Sequence, residues 1–266
     1  MTEFYIYFTY FFALFIGLSL GLTGGGGSIL TVPVLVYIAN IEPVVATAYS
    51  LFIVGFSSLV GTTKYYHKKL VDLKTAFVFA LPAFITVWLI RKFVVHAIPD
   101  DIIHFGSFIL TKNIFLMLFF AIIMFASSIK LITSSDKEES GTQVASYSLV
   151  LFSGVIVGIL SGLVGAGGGF LIVPALVFFM NLPMKKAVGT SLLIVAINSL
   201  IGFTGDLLNL PSVNWQFLFI FSGISSVGVF IGIYISKFLD ANKLKKVFGY
   251  FVLIMAMIIV YKELIS

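Results

Sequence analysis

The chain has 266 residues, of which 60% are hydrophobic and 10% charged, with a mean hydropathy of +1.14. A soluble domain is about 45–50% apolar and about 25% charged, so a soluble globular enzyme is excluded. The absence of cysteine excludes disulfides, thiolate metal sites, iron–sulfur clusters and cysteine nucleophiles. The formal charge of +5 reads as loop lysines obeying the positive-inside rule, not as a nucleic-acid surface.

From the N-terminus, Met1-Thr2-Glu3-Phe4 lacks a basic n-region, so no signal peptide is expected. Tyr5–Tyr37 is a long apolar segment interrupted by Gly24-Gly25-Gly26-Gly27. Val44–Thr63, Thr75–Val95 and Ile114–Ile132 follow, each close to the ~20 apolar residues that a bilayer crossing needs. Thr133–Gln143, with Ser134-Ser135-Asp136-Lys137-Glu138-Glu139-Ser140-Gly141, is the one clearly polar stretch in mid-chain. Tyr147–Phe179 is again apolar and is interrupted by Gly165-Ala166-Gly167-Gly168-Gly169. Ala187–Thr204, Gln216–Ser236 and Val247–Leu264 complete the spans.

The two halves repeat. Shifted by 141 positions, Gly21–Thr63 lies on Gly162–Thr204 without a gap and with 20 identities in 43 positions. The paired residues include Gly24/Gly165, Gly26/Gly167, Gly27/Gly168, Pro33/Pro174, Ser50/Ser191 and Ser58/Ser199. The expected architecture is an all-α polytopic membrane protein. Residues 1–132 form a first repeat, 133–145 a linker and 146–266 a second repeat, each repeat with one glycine-broken segment and three spanning helices. Such duplication is a building plan of secondary transporters.

Charge orients the halves. If each glycine segment turns back to the side it entered from, 12 of the 16 Lys and Arg fall inside and Arg91, Lys92, Lys112 and Lys262 outside, as the positive-inside rule asks. The halves are then inverted and both termini lie outside. Length agrees, because Ile29–Tyr37 supplies only ~13 Å of helix at 1.5 Å per residue against a hydrocarbon core of ~30 Å.

Each glycine break opens a short helix, and irregular backbone at membrane depth is tolerated only when buried in protein or lining a cavity. The free N–H groups and positive dipole end of a helix start suit an anion. All 11 carboxylates sit in loops or at span ends, which disfavours an embedded cation site. The candidate substrate residues are therefore Gly24, Gly25, Gly26, Gly27 and Ser28 at the first break and Gly165, Gly167, Gly168 and Gly169 at the second. Ser50, Thr190, Ser191 and Asn198 join them as neutral donors in the spans. Lys64 and Asp206, just past the ends of equivalent spans, are candidate gating charges. Gly154/Gly158 and Gly228/Gly232 read as close helix packing of the small-xxx-small kind. The three histidines, His67, His96 and His104, lack ligand spacing, so no metal and no cofactor is expected.

Gly21-Leu22-Thr23-Gly24-Gly25-Gly26-Gly27-Ser28-Ile29-Leu30-Thr31-Val32-Pro33 resembles the first signature of the sulfite exporter TauE/SafE family of membrane permeases. Gly162-Leu163-Val164-Gly165-Ala166-Gly167-Gly168-Gly169-Phe170-Leu171-Ile172-Val173-Pro174 resembles the second. Ala187-Val188-Gly189-Thr190-Ser191 resembles the family's A-x-G-T-S element, with Ala46-Thr47-Ala48-Tyr49-Ser50 a looser counterpart. The resemblance covers essentially the whole chain. It implies a permease of the cytoplasmic membrane for sulfur-containing anions such as sulfite or organosulfonates, or for small carboxylates. The expected function is alternating-access transport of a small anion between the two breaks, with lipid and substrate as partners, no nucleic acid and no catalysis. A passive anion channel and a non-transporting membrane scaffold are the alternatives. Oligomeric state is not fixed by the sequence.

Overall fold

The fold is taken from a computed structural model, which describes residues 3–25, 27–99, 101–105, 108–133, 147–165, 167–180, 182–207, 210, 212–236, 238 and 241–265. The expected linker at 133–145, apart from Thr133, lies outside the described residues, as does Gly26.

The elements follow the hydropathy pattern. Helix α1 is Glu3–Thr23 and α2 is Ser28–Ile38, the latter ending in a π-helical stretch, Val34–Ile38, directly after Pro33. A helix-interior proline cannot donate to the residue four back, and the wider turn that follows rejoins the chain through Ala39 N–H donating to Val34 O at 3.0 Å. Helix α3, Pro43–His67, starts with proline in its first turn, where the missing N–H costs nothing. Helix α4 runs Leu73–Val94, capped by Asp72, whose carboxylate accepts the Thr75 N–H at 3.1 Å. A two-stranded antiparallel hairpin follows, β1 Asp101–Phe105 and β2 Phe108–Thr111. Helix α5 is Lys112–Thr133.

In the second half, α6 is Tyr147–Val164, α7 is Gly169–Met180, α8 is Met184–Asp206, α9 is Trp215–Ile235 and α10 is Ala241–Ile265. Asn214 caps α9 by accepting the Phe217 N–H at 3.0 Å. Among the described residues, five helices are long and apolar enough to cross a membrane: α3, α4, α8, α9 and the Lys112–Ile129 part of α5. Helix α2 rises only about 16 Å and α7 about 18 Å at 1.5 Å per residue, so neither spans.

The structure departs from the sequence expectation at three places. The hairpin was not expected in an all-α chain. Helix α10 starts at Ala241, six residues before the expected span, and takes in Lys243, Lys245 and Lys246. Arg91, counted with Lys92 on the outside at the end of the Thr75–Val95 span, is fully buried inside α4.

Packing links the halves rather than separating them. Helix α1 packs on α9 and α6 on α4; α3 touches α9 as α8 touches α4; α3 meets α8, α5 meets α10 and α2 meets α7. Helices α3 and α8 cross antiparallel, since Gly55 lies against Leu200, Gly61 against Leu192 and Gly202 against Leu51. Helices α1 and α9 run parallel, with Gly17 on Ser225 and Gly21 on Val229. The outer faces carry large apolar residues such as Phe11, Leu81, Ile85, Phe125, Phe152 and Phe219, which suit lipid.

Small residues set the helix separations, as their spacing implied. A Cβ at Gly228 would lie 2.2 Å from Leu14 O, and one at Gly158 would lie 2.6 Å from Ala83 O. Replacement of Gly228 by Val should therefore destabilise the protein by about 3 kcal/mol, read as a drop in melting temperature in detergent. Gly223, whose Cβ would meet nothing within 4 Å, supplies the control: Gly223→Ala should shift stability by no more than about 0.5 kcal/mol.

Candidate functional site at the glycine breaks

Helices α1 and α6 end the same way. Gly24 N–H donates to Leu20 O at 2.8 Å and Gly165 N–H to Ser161 O at 2.9 Å. Both glycines then turn left-handed, at φ +74° and +72°, a conformation that carries almost no cost for glycine alone. The chain continues through Gly25 at φ +138° in one half and through Gly167 and Gly168 at +67° and +70° in the other. Helices α2 and α7 begin just beyond.

The two starts meet backbone to backbone. A Cβ on Gly25 would lie 2.5 Å from the Cα of Gly169, and one on Gly169 would lie 2.5 Å from the Cα of Gly25. The amide-rich beginnings of two half-helices thus adjoin, with no side chain between them at this contact.

Helices α3 and α8 hold the breaks from either side. Gly24 lies on Val188 and Ser191 of α8, and Gly165 lies on Thr47 of α3. Gly167 lies against Ser199 and Val195 of α8 and Val54 of α3. Some break carbonyls are answered locally. Ser28 Oγ donates to Gly25 O at 2.6 Å, and Ser191 Oγ donates to Gly24 O, with Val188 O at 2.8 Å.

Other polar groups there have no protein partner. Ser50, Ser58, Ser199 and both amide atoms of Asn198 are fully buried and lack a hydrogen bond within the protein. Leaving polar atoms unanswered in an apolar interior is costly; Ser50, Asn198 and Ser199 lie on the helices that flank the breaks, while Ser222 and Ser225, equally unanswered, lie on α9. Ser50 stands one turn beyond Thr47 on the α3 face that meets the second break. Ser199 points its hydroxyl at Gly167, 2.4 Å from where a Cβ would sit.

The structure separates the sequence-predicted residues. Gly25 and Gly169 meet directly, Gly24, Gly165, Gly167, Ser28 and Ser191 lie around them, and Ser50 and Asn198 sit on the flanking helices. Gly168 packs on α6, against Val157 and Ser161. Gly27 packs on α1 instead, where a Cβ would lie 2.4 Å from Leu20 N. Thr190 is engaged elsewhere: its hydroxyl accepts the Asp72 N–H at 2.9 Å and fastens the α3–α4 connection. Lys64 is exposed in the last turn of α3.

Asp206 is corrected from its expected position past the end of a span. It is the last residue of α8, is 1% exposed, and its Oδ2 lies 3.0 Å from Arg91 Nε. Arg91 Nη1 donates to Thr47 Oγ1 at 3.1 Å, and Thr47 Oγ1 donates to Val44 O at 2.8 Å. A buried cation is thereby one residue removed from Gly165. Sequence reasoning missed Arg91, although one signal was present: it is the chain's single arginine among 16 basic residues, and arginine suits buried, bidentate pairing better than lysine.

The sequence profile of the sulfite exporter TauE/SafE family matches residues 9–259. A "probable membrane transporter protein" of Xylella fastidiosa is 30% identical over 93% of this chain and 92% of its own length. The "probable membrane transporter protein YunE" of Bacillus subtilis is 28% identical over 74% of this chain and 76% of its own. One from Methanocaldococcus jannaschii, "probable membrane transporter protein MJ0441", is 40% identical over 40% of this chain and 41% of its own. No solved structure matches. With broken half-helices at its centre and a family match over nearly its whole length, the chain belongs to the sulfite exporter TauE/SafE family of integral membrane transporters.

Proposed function

We propose that this protein is a secondary transporter of small oxyanions, of the sulfite or organosulfonate type, working by alternating access around the junction of the two glycine breaks. The observation that carries this is the contact of Gly25 with Gly169. The starts of two half-helices adjoin there, and unanswered hydroxyl and amide groups of Ser50, Ser199 and Asn198 lie on the flanking helices. Backbone N–H groups and neutral donors together fit an oxyanion.

The two halves are inverted in this scheme. Support comes from the antiparallel crossing of the equivalent helices α3 and α8. Contacts between connections agree. The ends of α2 and α10 share a face, where Tyr37 Oη donates to Glu263 Oε1 at 2.8 Å. The α3–α4 connection lies beside the start of α8, and the α8–α9 connection beside the start of α3, through Asn214 N–H donating to Tyr49 Oη at 2.8 Å. With lysine-rich connections inside, both termini fall outside in the cytoplasmic membrane. Rocking of α3, α8 and the half-helices against the rest would open the junction to each side in turn.

Counter-gradient, saturable uptake of sulfite into proteoliposomes is the expected result; flux that never saturates would identify a channel instead. Gly25→Val should abolish this uptake, because the left-handed backbone and the Gly169 contact both forbid a side chain. Ser50→Ala and Asn198→Ala should each raise the half-saturating sulfite concentration about tenfold. The cysteine-free chain also allows a clean topology test. Cysteines at Lys68 and Met184 should react with an impermeant maleimide from the same face, and one at Ser212 from the opposite face; Met184 reacting from the face of Ser212 would overturn the inverted arrangement.

A further inference from the structure

We propose that Arg91 is the cation with which the transported anion pairs, and that Asp206 is an internal anion which the substrate displaces. This rests on the transport mechanism proposed above and assigns the charge partner that mechanism lacks.

Four observations carry it. First, both groups are buried, Arg91 at 0% and Asp206 at 1% exposure, and they join α4 to α8 at 3.0 Å. A buried ion pair contributes little to stability compared with apolar residues of similar size, so stability alone is a poor reason to have one. Second, the pair lies at the break. Arg91 Nη1 touches Thr47 Oγ1, and Thr47 packs its Cβ and backbone on Gly165, the residue that opens the second break. Third, the hydroxyl of Ser50, on the same face of α3 and between Thr47 and Val54, is fully buried and unanswered. Guanidinium and hydroxyl are thus gathered on the α3 face that meets the second break. Fourth, the scaffold does not require the pair. The positions 141 residues away are Gly232 for Arg91 and Tyr65 for Asp206, so the other half builds the same crossing of helices with no charge.

The chemistry follows from the fork of the arginine. A guanidinium presents parallel N–H donors that match two oxygens of a carboxylate, and equally two oxygens of a sulfite or sulfonate. Asp206 Oδ2 occupies the Nε side of that fork while no anion is bound. An arriving oxyanion takes the guanidinium, and the bridge from α4 to α8 is cut. Binding then loosens one side of the junction, the side at which Arg91 and Asp206 lie, and leaves the Gly232/Tyr65 side unaffected. Loading and gating become a single exchange of one anion for another.

The test compares sulfite titrations of the purified full chain by thermal shift, with proteoliposome uptake alongside. The double variant Arg91→Met/Asp206→Leu removes both charges and leaves neither stranded. It should melt within a few degrees of the wild type without sulfite, and its half-saturating sulfite concentration should rise about tenfold or more. Arg91→Lys, which keeps the charge but not the fork, should also weaken sulfite binding. Asp206→Asn, which removes the competitor, should tighten it. A double variant, or Arg91→Lys should the double variant not fold, that binds sulfite as the wild type does overturns the inference alone. Weaker sulfite binding in a folded Asp206→Asn protein overturns the displacement step. A wild type that responds neither to sulfite nor to sulfate, thiosulfate, taurine or pyruvate overturns the transport reading, and this inference with it.

Discussion

Backbone that leaves its helix at membrane depth has no water to turn to, and this single constraint organises the molecule. The breaks after Thr23 and Val164 would be untenable against lipid. They are housed where protein surrounds them, between α3 and α8, the two helices with the largest buried share among the candidate spans. The remaining helices then act as a shell. Helices α1 and α6 deliver the chain to the breaks and are themselves seated on α9 and α4 through glycine faces. Large apolar side chains are left for the outer surface.

A second tension arises from charge. An apolar interior penalises ions, yet Arg91 and Asp206 are both inside. They are tolerated as a pair, with Thr47 supplying a further acceptor. Lys92, its neighbour in sequence, takes the opposite course and lays its ammonium 4.4 Å from the centre of the Trp88 ring, one helical turn back. Adjacent residues on a helix point about 100° apart. One basic residue therefore turns to the core and the other to the membrane boundary.

That divergence explains which features were legible in the sequence. Spans, duplication and glycine breaks could be read directly, because apolar length, a 141-residue self-match and clustered glycines are properties of composition and order. The roles of Gly228 and Gly158 in close packing could be read for the same reason. Arg91 could not. It ends an apolar run beside Lys92, and hydropathy treats both as a boundary. Their facing depends on which neighbours α4 meets, and α8 meets it at Gly202 and Gly205. Asp206 was noticed but matched with Lys64 through the repeat, whereas its partner comes from a different helix and breaks the repeat. Thr190 and Ser191 were both expected as neutral donors in one span. The helix separates them, one to Asp72 at the surface connection and one to Gly24 at the break. The hairpin at 101–111 joins helices with a short, locally paired ribbon that neither spacing nor hydropathy announces.

The contact of Gly25 with Gly169 has an evolutionary consequence. Where the two breaks touch, the molecule offers main chain only, and main chain cannot be mutated into a different chemistry. In the transport scheme proposed above, a change of preferred cargo would come from side chains on the flanking helices, such as Ser50 and Asn198, rather than from the junction itself. In that scheme the main-chain junction would supply a generic affinity for negative charge, and the flanking side chains the discrimination. A lineage working by that scheme would diversify its substrates through a few substitutions on two helices while the junction stayed unchanged.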